Sequence, residues 1–143
     1  MHKRIDLSSA LGRAAKEQLE SQYVIWLTTV DSSLMPQPRP VWFVWDRDSF
    51  LIFSQAKAHK VGHIKKNPNV ALHFNTDETG DWRVIVFLGE AFIDPEGAPA
   101  HQVPEYLEKY KQGISDLEMT PEEFSREYSI AIRIQPTEVR GWE

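Results

Sequence analysis

The chain has 143 residues, with 16 Lys and Arg against 21 Asp and Glu and a formal net charge of −5 at pH 7. At 41% hydrophobic and 26% charged residues its composition is ordinarily globular, and its length suits one domain over residues 1–143. The acidity argues against general nucleic-acid binding; the absence of cysteine excludes a disulfide framework, a thiolate metal site and a cysteine nucleophile; and no apolar run is long enough to span a membrane. The first residues, Met1-His2-Lys3-Arg4-Ile5-Asp6, lack the apolar core of a signal peptide, so a cytoplasmic protein is expected.

Residues 7–22 are predicted helical, because Leu7, Leu11, Ala14, Ala15 and Leu19 recur at three-to-four spacing between polar residues. Residues 23–30 are β-branched and aromatic and are predicted to form a largely buried strand, with Trp26 in the core. After a turn at 31–33, residues 36–45 form a second strand. Its start, Pro36-Gln37-Pro38-Arg39-Pro40, must be a sheet edge or an irregular entry, since proline donates no ladder hydrogen bond. A turn at 46–49 leads into a third, buried strand at 50–54, giving an antiparallel meander.

The segment 57–66 then holds four lysines, two histidines and no acid. A helix start carrying lysine, directly after a strand end, is an anion site by charge and by its free N–H groups, and a phosphate on a small molecule is the natural ligand. His59 and His63 stand four apart on that helix, a metal-like spacing, but no third ligand is evident and no metal site is expected. Asn67-Pro68-Asn69 ends the helix. Strands follow at 70–75 and, after a turn at 77–80, at 82–93, where Gly89 marks a bend or bulge. His73, inside the first of these, reads as a structural residue. Residues 94–127 are acidic and helical: Val103, Tyr106, Leu107 and Tyr110 form a stripe, and Thr120-Pro121-Glu122-Glu123 is a capping box. A strand at 128–134 and a short one at 138–143 close the chain. Many aromatic strand residues and little helix to cover a flat sheet point to a small antiparallel barrel.

These pieces, in this order, resemble the split β-barrel of the pyridoxamine 5′-phosphate oxidase-like flavin-binding proteins. The resemblance rests on the Trp-containing strand, Pro36-Gln37-Pro38-Arg39-Pro40-Val41-Trp42-Phe43, Phe53-Ser54 with its downstream lysines, Asn67-Pro68-Asn69-Val70-Ala71-Leu72, Gly89-Glu90-Ala91 and the ending Gln135-Pro136-Thr137-Glu138-Val139-Arg140-Gly141-Trp142. It covers residues 7–142 and is nearest to the branch that uses the deazaflavin coenzyme F420. It implies a mainly β fold: a six- to seven-stranded antiparallel split barrel with an N-terminal helix, one helix after the third strand and a helical insert before the last strands.

The same resemblance implies a function and a site. The activity is an oxidoreductase that uses reduced F420 to pass hydride to a small unsaturated or quinone-like substrate, with FMN as the alternative cofactor and a non-enzymatic cofactor- or haem-binding barrel as the alternative class. Ser54 and Lys60 match the family's phosphate-holding hydroxyl and base, with Lys57 and His59 nearby. Gln37, Pro38, Pro40, Val41 and Trp42 match the strand beside the tricyclic ring. The family's site lies between two subunits of a homodimer, with Trp82 and Val84 lent by the second copy and Trp142 walling the cleft. Two departures favour F420 over FMN: His59 stands where an Arg precedes the phosphate Lys, and Trp42-Phe43 replaces a basic strand end. Aromatic residues such as Trp82 and Phe87 exceed what one small barrel hides, which also predicts a homodimer. No Ser/His/Asp or paired-carboxylate set stands out, so no catalytic side chain is assigned.

Overall fold

The computed structural model of the chain describes residues 5–76 and 84–142, with Trp142 described by its backbone alone. The turn expected at 77–80, Trp82 and the start of the strand expected from 82 lie outside the described residues.

The first helix, α1 (Ala10–Ser21), begins three residues later than its apolar spacing predicts. Ser9 is the reason: its Oγ accepts a hydrogen bond from the amide of Gly12 at 3.0 Å and sets the start. Seven strands follow among the described residues: β1 (Val24–Val30), β2 (Pro36–Trp42), β3 (Val44–Asp46), β4 (Ser49–Ser54), β5 (Asn69–His73), β6 (Val84–Ile93) and β7 (Ile130–Trp142). They form one antiparallel sheet in the order β2-β1-β5-β6-β7-β4-β3. Its two edge strands, β2 and β3, are neighbours in sequence, separated by Phe43 alone. The sheet therefore curls until its edges approach one another, which is the expected split half-barrel.

The proline strand is an edge, as its composition requires, but its entry is regular. Pro36 to Trp42 pair in unbroken register with Val30 to Val24. Spacing of two puts all three proline nitrogens on the same, free side of the strand, so no ladder bond is lost.

The expected meander is corrected at Phe43. Residues 36–45 form two strands rather than one, and β4 pairs with β3 and β7, not with β2. Phe43 is fully buried, and its backbone is bound by side chains in place of a ladder: its N–H donates to the Tyr110 hydroxyl at 2.8 Å and its carbonyl accepts from Lys109 Nζ at 2.9 Å. A second correction concerns the end of the chain. Pro136 does not divide the last strand, because a bulge accommodates it: Gly89 pairs with Pro136 while Leu88 pairs with Glu138. Gly89 is needed there, since a Cβ would lie 2.6 Å from the Gln135 carbonyl oxygen.

Helix α2 (His59–Lys66) follows β4, and α3 (Pro104–Asp116) and α4 (Pro121–Glu127) make the insert, preceded by a 3-10 turn at Ala100–Gln102. The Thr120–Glu123 capping box forms as expected. The core has two parts. Ile25, Leu27, Phe50, Ile52, Leu72 and Phe87 fill the barrel, and Leu51, Phe53, Tyr106, Tyr110, Ile114 and Phe124 fill the space under the insert. Strand β4 lies between them: Phe50 and Ile52 face one core, Leu51 and Phe53 the other. That two-sided burial is why the segment reads as a continuous apolar run.

Two further expectations are corrected. Phe87 is fully buried in its own barrel, so it is no surplus aromatic. Trp26 faces outward, because its neighbours Ile25 and Leu27 take the inward positions of β1. Its indole stacks on His73 with ring centroids 6.3 Å apart and donates to Asn75 Oδ1 at 2.9 Å.

Candidate functional site

The end of β4, the start of α2 and the edge strand β2 converge on a cavity of about 440 Å³. Five of the residues singled out from the sequence line it: Pro40, Val41 and Trp42 from β2, Ser54 from β4 and Lys60 from α2. The insert supplies the opposite wall through Tyr106, Leu117, Phe124 and Tyr128. Trp42 is anchored by stacking on Tyr110 and Phe124, with centroids 4.6 and 5.7 Å away, so part of its ring surface belongs to the core.

A second cavity of about 430 Å³ adjoins the first, and Ala58 and Lys60 line both. Gln37 and His59 open onto it, together with Thr29, Asp31, Arg39 and His63. Lys57 lines a neighbouring groove with Asp31 and the outer turns of α2. Pro38 is exposed on β2 and lines none of these spaces. Val84 pairs with Trp142 across β6 and β7, and Val84 lines neither of these two cavities within this one chain. Trp82 lies outside the described residues.

Helix α2 starts without a side-chain cap. Its N-cap is Ala58, and the first turn holds no acid. Ser54, which could have capped it, is instead buried at 2% exposure, with its Oγ directed to the Gln55 carbonyl at 3.1 Å.

Lys60 is half-buried, and among the described residues no carboxylate forms an ion pair with it. Burial first, and then the positive charge of Arg39, hold its ammonium below the ordinary lysine value. The carboxylate that shares the second cavity, Asp31, is committed to its own turn. It accepts from Ser33 N at 2.8 Å, Met35 N at 3.0 Å and Gln37 Nε2 at 3.0 Å, and the Met35 amide is the main cause of its depressed pKa. Two like charges thus face each other, uncompensated, in an acidic protein. An anion placed between them removes both the repulsion and part of the cost of burial.

His59 and His63 do lie side by side, with ring centroids 6.4 Å apart. His63 Nδ1 is 2.8 Å from Oγ1 of the buried Thr29. Among the described residues no group of three or more His, Asp or Glu is arranged to hold a metal ion.

Tyr106 and Phe124 of the insert and Tyr128 just after it are lining residues that sequence reasoning missed, and Arg39 is one it did not assign to the site. A signal existed for Arg39 and for Tyr106. Arg39 alternates with Gln37 and Val41 on one side of β2, and Tyr106 belongs to the apolar stripe of α3. What the stripe packs against is decided by the fold, not by the period of the helix.

Solved structures share this fold at low sequence identity. An FAD-binding protein from Mesorhizobium loti superposes with a TM-score of 0.67 at 18% identity, covering 93% of this chain and 91% of that one. An F420 reductase gives 0.65 at 23% identity, covering 87% and 94%. The haem storage protein of Vibrio cholerae gives 0.65 at 16% identity, covering 93% and 95%. No curated protein matches the chain by sequence. The sequence profile described as pyridoxamine 5′-phosphate oxidase, however, matches residues 11–143, nearly the whole length. With its curled seven-stranded sheet and its cation-edged aromatic cavity, the chain belongs to the pyridoxamine 5′-phosphate oxidase family.

Proposed function

We propose that the chain is an oxidoreductase that uses reduced coenzyme F420 to pass hydride to a small unsaturated or quinone-like acceptor. The observation that carries this reading is the half-buried, unpaired Lys60, with Arg39 beside it, at the edge of a cavity walled by aromatic rings. Those residues fit a ligand with an anionic group at one end and a planar ring at the other. The coenzyme, when bound, supplies the hydride chemistry; the chain's task is to bind, orient and exclude water. Ser54, Lys60 and Arg39 would hold its phosphate, with Lys57 and His59 adding positive charge nearby. Gln37, Pro38, Pro40, Val41 and Trp42 would border the ring. The F420 reductase among the structural neighbours supports the choice of cofactor.

The functional unit in this reading is a homodimer. The outer face of the sheet carries Trp26, His73 and Val86 in one row and Ala71 and Leu88 in the next, all partly exposed. A second copy seated there would bring Trp82, Val84 and Trp142 to the cleft. Among the described residues no helix is long and apolar enough to cross a membrane, and the acceptor is taken to be a small molecule.

A second reading, FMN as cofactor, is favoured by Arg39. The sequence comparison takes this strand to lack a basic contribution, whereas Arg39 adds a cation beside Lys60. A cation that reached from this strand to a flavin ring, in place of the phosphate, would stabilise its reduced anion. Haem is less well served, since among the described residues no histidine lines the aromatic cavity. Side-by-side titration of the purified protein with F420, FMN and haem tests the proposal, and tighter binding of F420 is the expected result. Micromolar or tighter binding of FMN with no detectable binding of the deazaflavin replaces F420 by FMN, and binding of haem alone replaces both.

A further inference from the structure

Two tyrosines stand one helical turn apart on α3, and their hydroxyls differ sharply. Tyr110 is fully engaged: it accepts from Phe43 N, and its proton goes to the carbonyl of Tyr23 at 2.6 Å or of Phe43 at 2.8 Å. Tyr106 is 1% exposed, yet among the described residues its hydroxyl makes no hydrogen bond, while its ring packs on Phe53, Tyr110 and Phe124. No fully buried side-chain oxygen or nitrogen among the described residues lacks a partner, so the Tyr106 hydroxyl keeps a small exposed surface, and the residue lines the cavity.

A phenol left unpaired among aromatic rings is costly, and phenylalanine would give the same wall without that cost. Phe124, in the same wall, shows that the fold accepts one. Two other polar side chains around the cavity are engaged: Gln55 donates to Glu127 Oε1 at 2.9 Å, and Ser54 Oγ donates to the Gln55 carbonyl at 3.1 Å. Tyr128 lines the same wall, stacked on Phe124 with centroids 4.5 Å apart. Burial, and then the neighbouring phenols of Tyr110 and Tyr128, push the Tyr106 pKa up, which keeps its O–H protonated and available as a donor.

We propose that Tyr106 donates a hydrogen bond to a conjugated carbonyl oxygen on the planar molecule held in this cavity. The proposal rests on the reading that the cavity takes a planar redox ligand, and it adds what that ligand must carry besides its anionic group. Such an oxygen gains negative charge when its conjugated system accepts a hydride, so a donor there serves both recognition and reduction. The carbonyl can belong to the cofactor ring or to the acceptor, and the test separates the two.

The probes are menadione, a planar quinone, and 2-methylnaphthalene, which lacks both oxygens, with binding read by quenching of tryptophan fluorescence in the full-length protein without cofactor. F420 and FMN are titrated in parallel. Because its hydroxyl has no internal partner, Tyr106→Phe is expected to keep or raise the thermal unfolding midpoint. It should weaken menadione binding about 3- to 10-fold and leave methylnaphthalene unchanged, the scale of one neutral hydrogen bond. The same loss for F420 or FMN in place of menadione assigns the carbonyl to the cofactor ring and supports the proposal. Unchanged affinity for all three oxygen-bearing probes, or a lowered unfolding midpoint with equal losses for both the quinone and the hydrocarbon, overturns it. Failure of wild-type protein to bind F420 or FMN overturns the proposed function instead, and the comparison of quinone with hydrocarbon still decides the role of Tyr106.

Discussion

Tyr110 and Phe43 meet where the sheet is interrupted. The Tyr110 hydroxyl, on the helical insert, takes the amide of Phe43 at 2.8 Å, a hydrogen bond that a continuous strand would have given to its neighbour. The insert is therefore part of how the half-barrel closes. It also stacks Tyr110 on Trp42, the last residue of the cavity-lining edge strand. Closure of the sheet and shape of the site are thus set by one side chain.

Removing that hydroxyl tests the relationship. Tyr110→Phe leaves the buried Phe43 N–H without its acceptor, and a loss of about 1–3 kcal/mol in unfolding free energy is expected. Urea denaturation measures it. A variant as stable as wild type would mean that the break at Phe43 is held by Lys109 and packing alone.

Lys60 is expected to trade binding against stability. Lys60→Ala should weaken cofactor binding by roughly 1–3 kcal/mol, the scale of a lost charge-assisted hydrogen bond. It should leave folding stability unchanged or slightly raised, because the lysine is partly desolvated and repelled by Arg39. Lys57→Ala, at an exposed position, should cost less binding. Calorimetric titration and thermal melts of the two variants check this, and intact affinity in a folded Lys60→Ala protein returns the lysine to a structural role.

Lys109 carries a pH signature. Its Nζ lies 3.9 Å from the centroid of the Phe43 ring, and burial lowers its pKa from 10.5 to about 8. Between those values the unfolded chain binds more protons than the folded one. Its contribution to stability therefore grows as pH rises from about 8 to 10.5 and is lost as pH falls through about 8. Lys109→Met keeps the stem and removes the titration. The stability of wild type relative to this variant should rise across that window in urea midpoints taken at several pH values; a difference that stays flat defeats the assignment.

Assembly is the fourth expectation. Light scattering at micromolar concentration should give twice the 16.5 kDa chain mass. A charge introduced in the middle of the outer face, Val86→Glu, should shift the protein toward monomer and reduce cofactor binding together. A monomeric wild-type protein would confine the site to residues of one chain.

The amino-acid sequence determined most of the elements and pointed to the cationic segment of the candidate site. Alternation placed the strands; the Thr120–Glu123 box and the Asn67-Pro68-Asn69 break set helix ends; three prolines two apart forced β2 to a sheet edge; and the acid-free run after Ser54 marked residues 57–66 as cationic, Lys60 itself being singled out by the family resemblance. Each of these is a local effect of backbone hydrogen bonding or charge, readable over a few residues. Tertiary structure decided the rest. Phe43 leaves the ladder because Tyr110, 67 residues away in sequence, offers its amide another partner. Trp26 points outward because the barrel fills with Ile25 and Leu27. Arg39 joins Lys60, and Tyr106 closes the cavity, because a curled sheet brings its edge strand and the insert to the same end of β4. Helical period assigns Tyr106 to a face; only packing decides that its ring meets Phe53 and that its hydroxyl is left for a ligand.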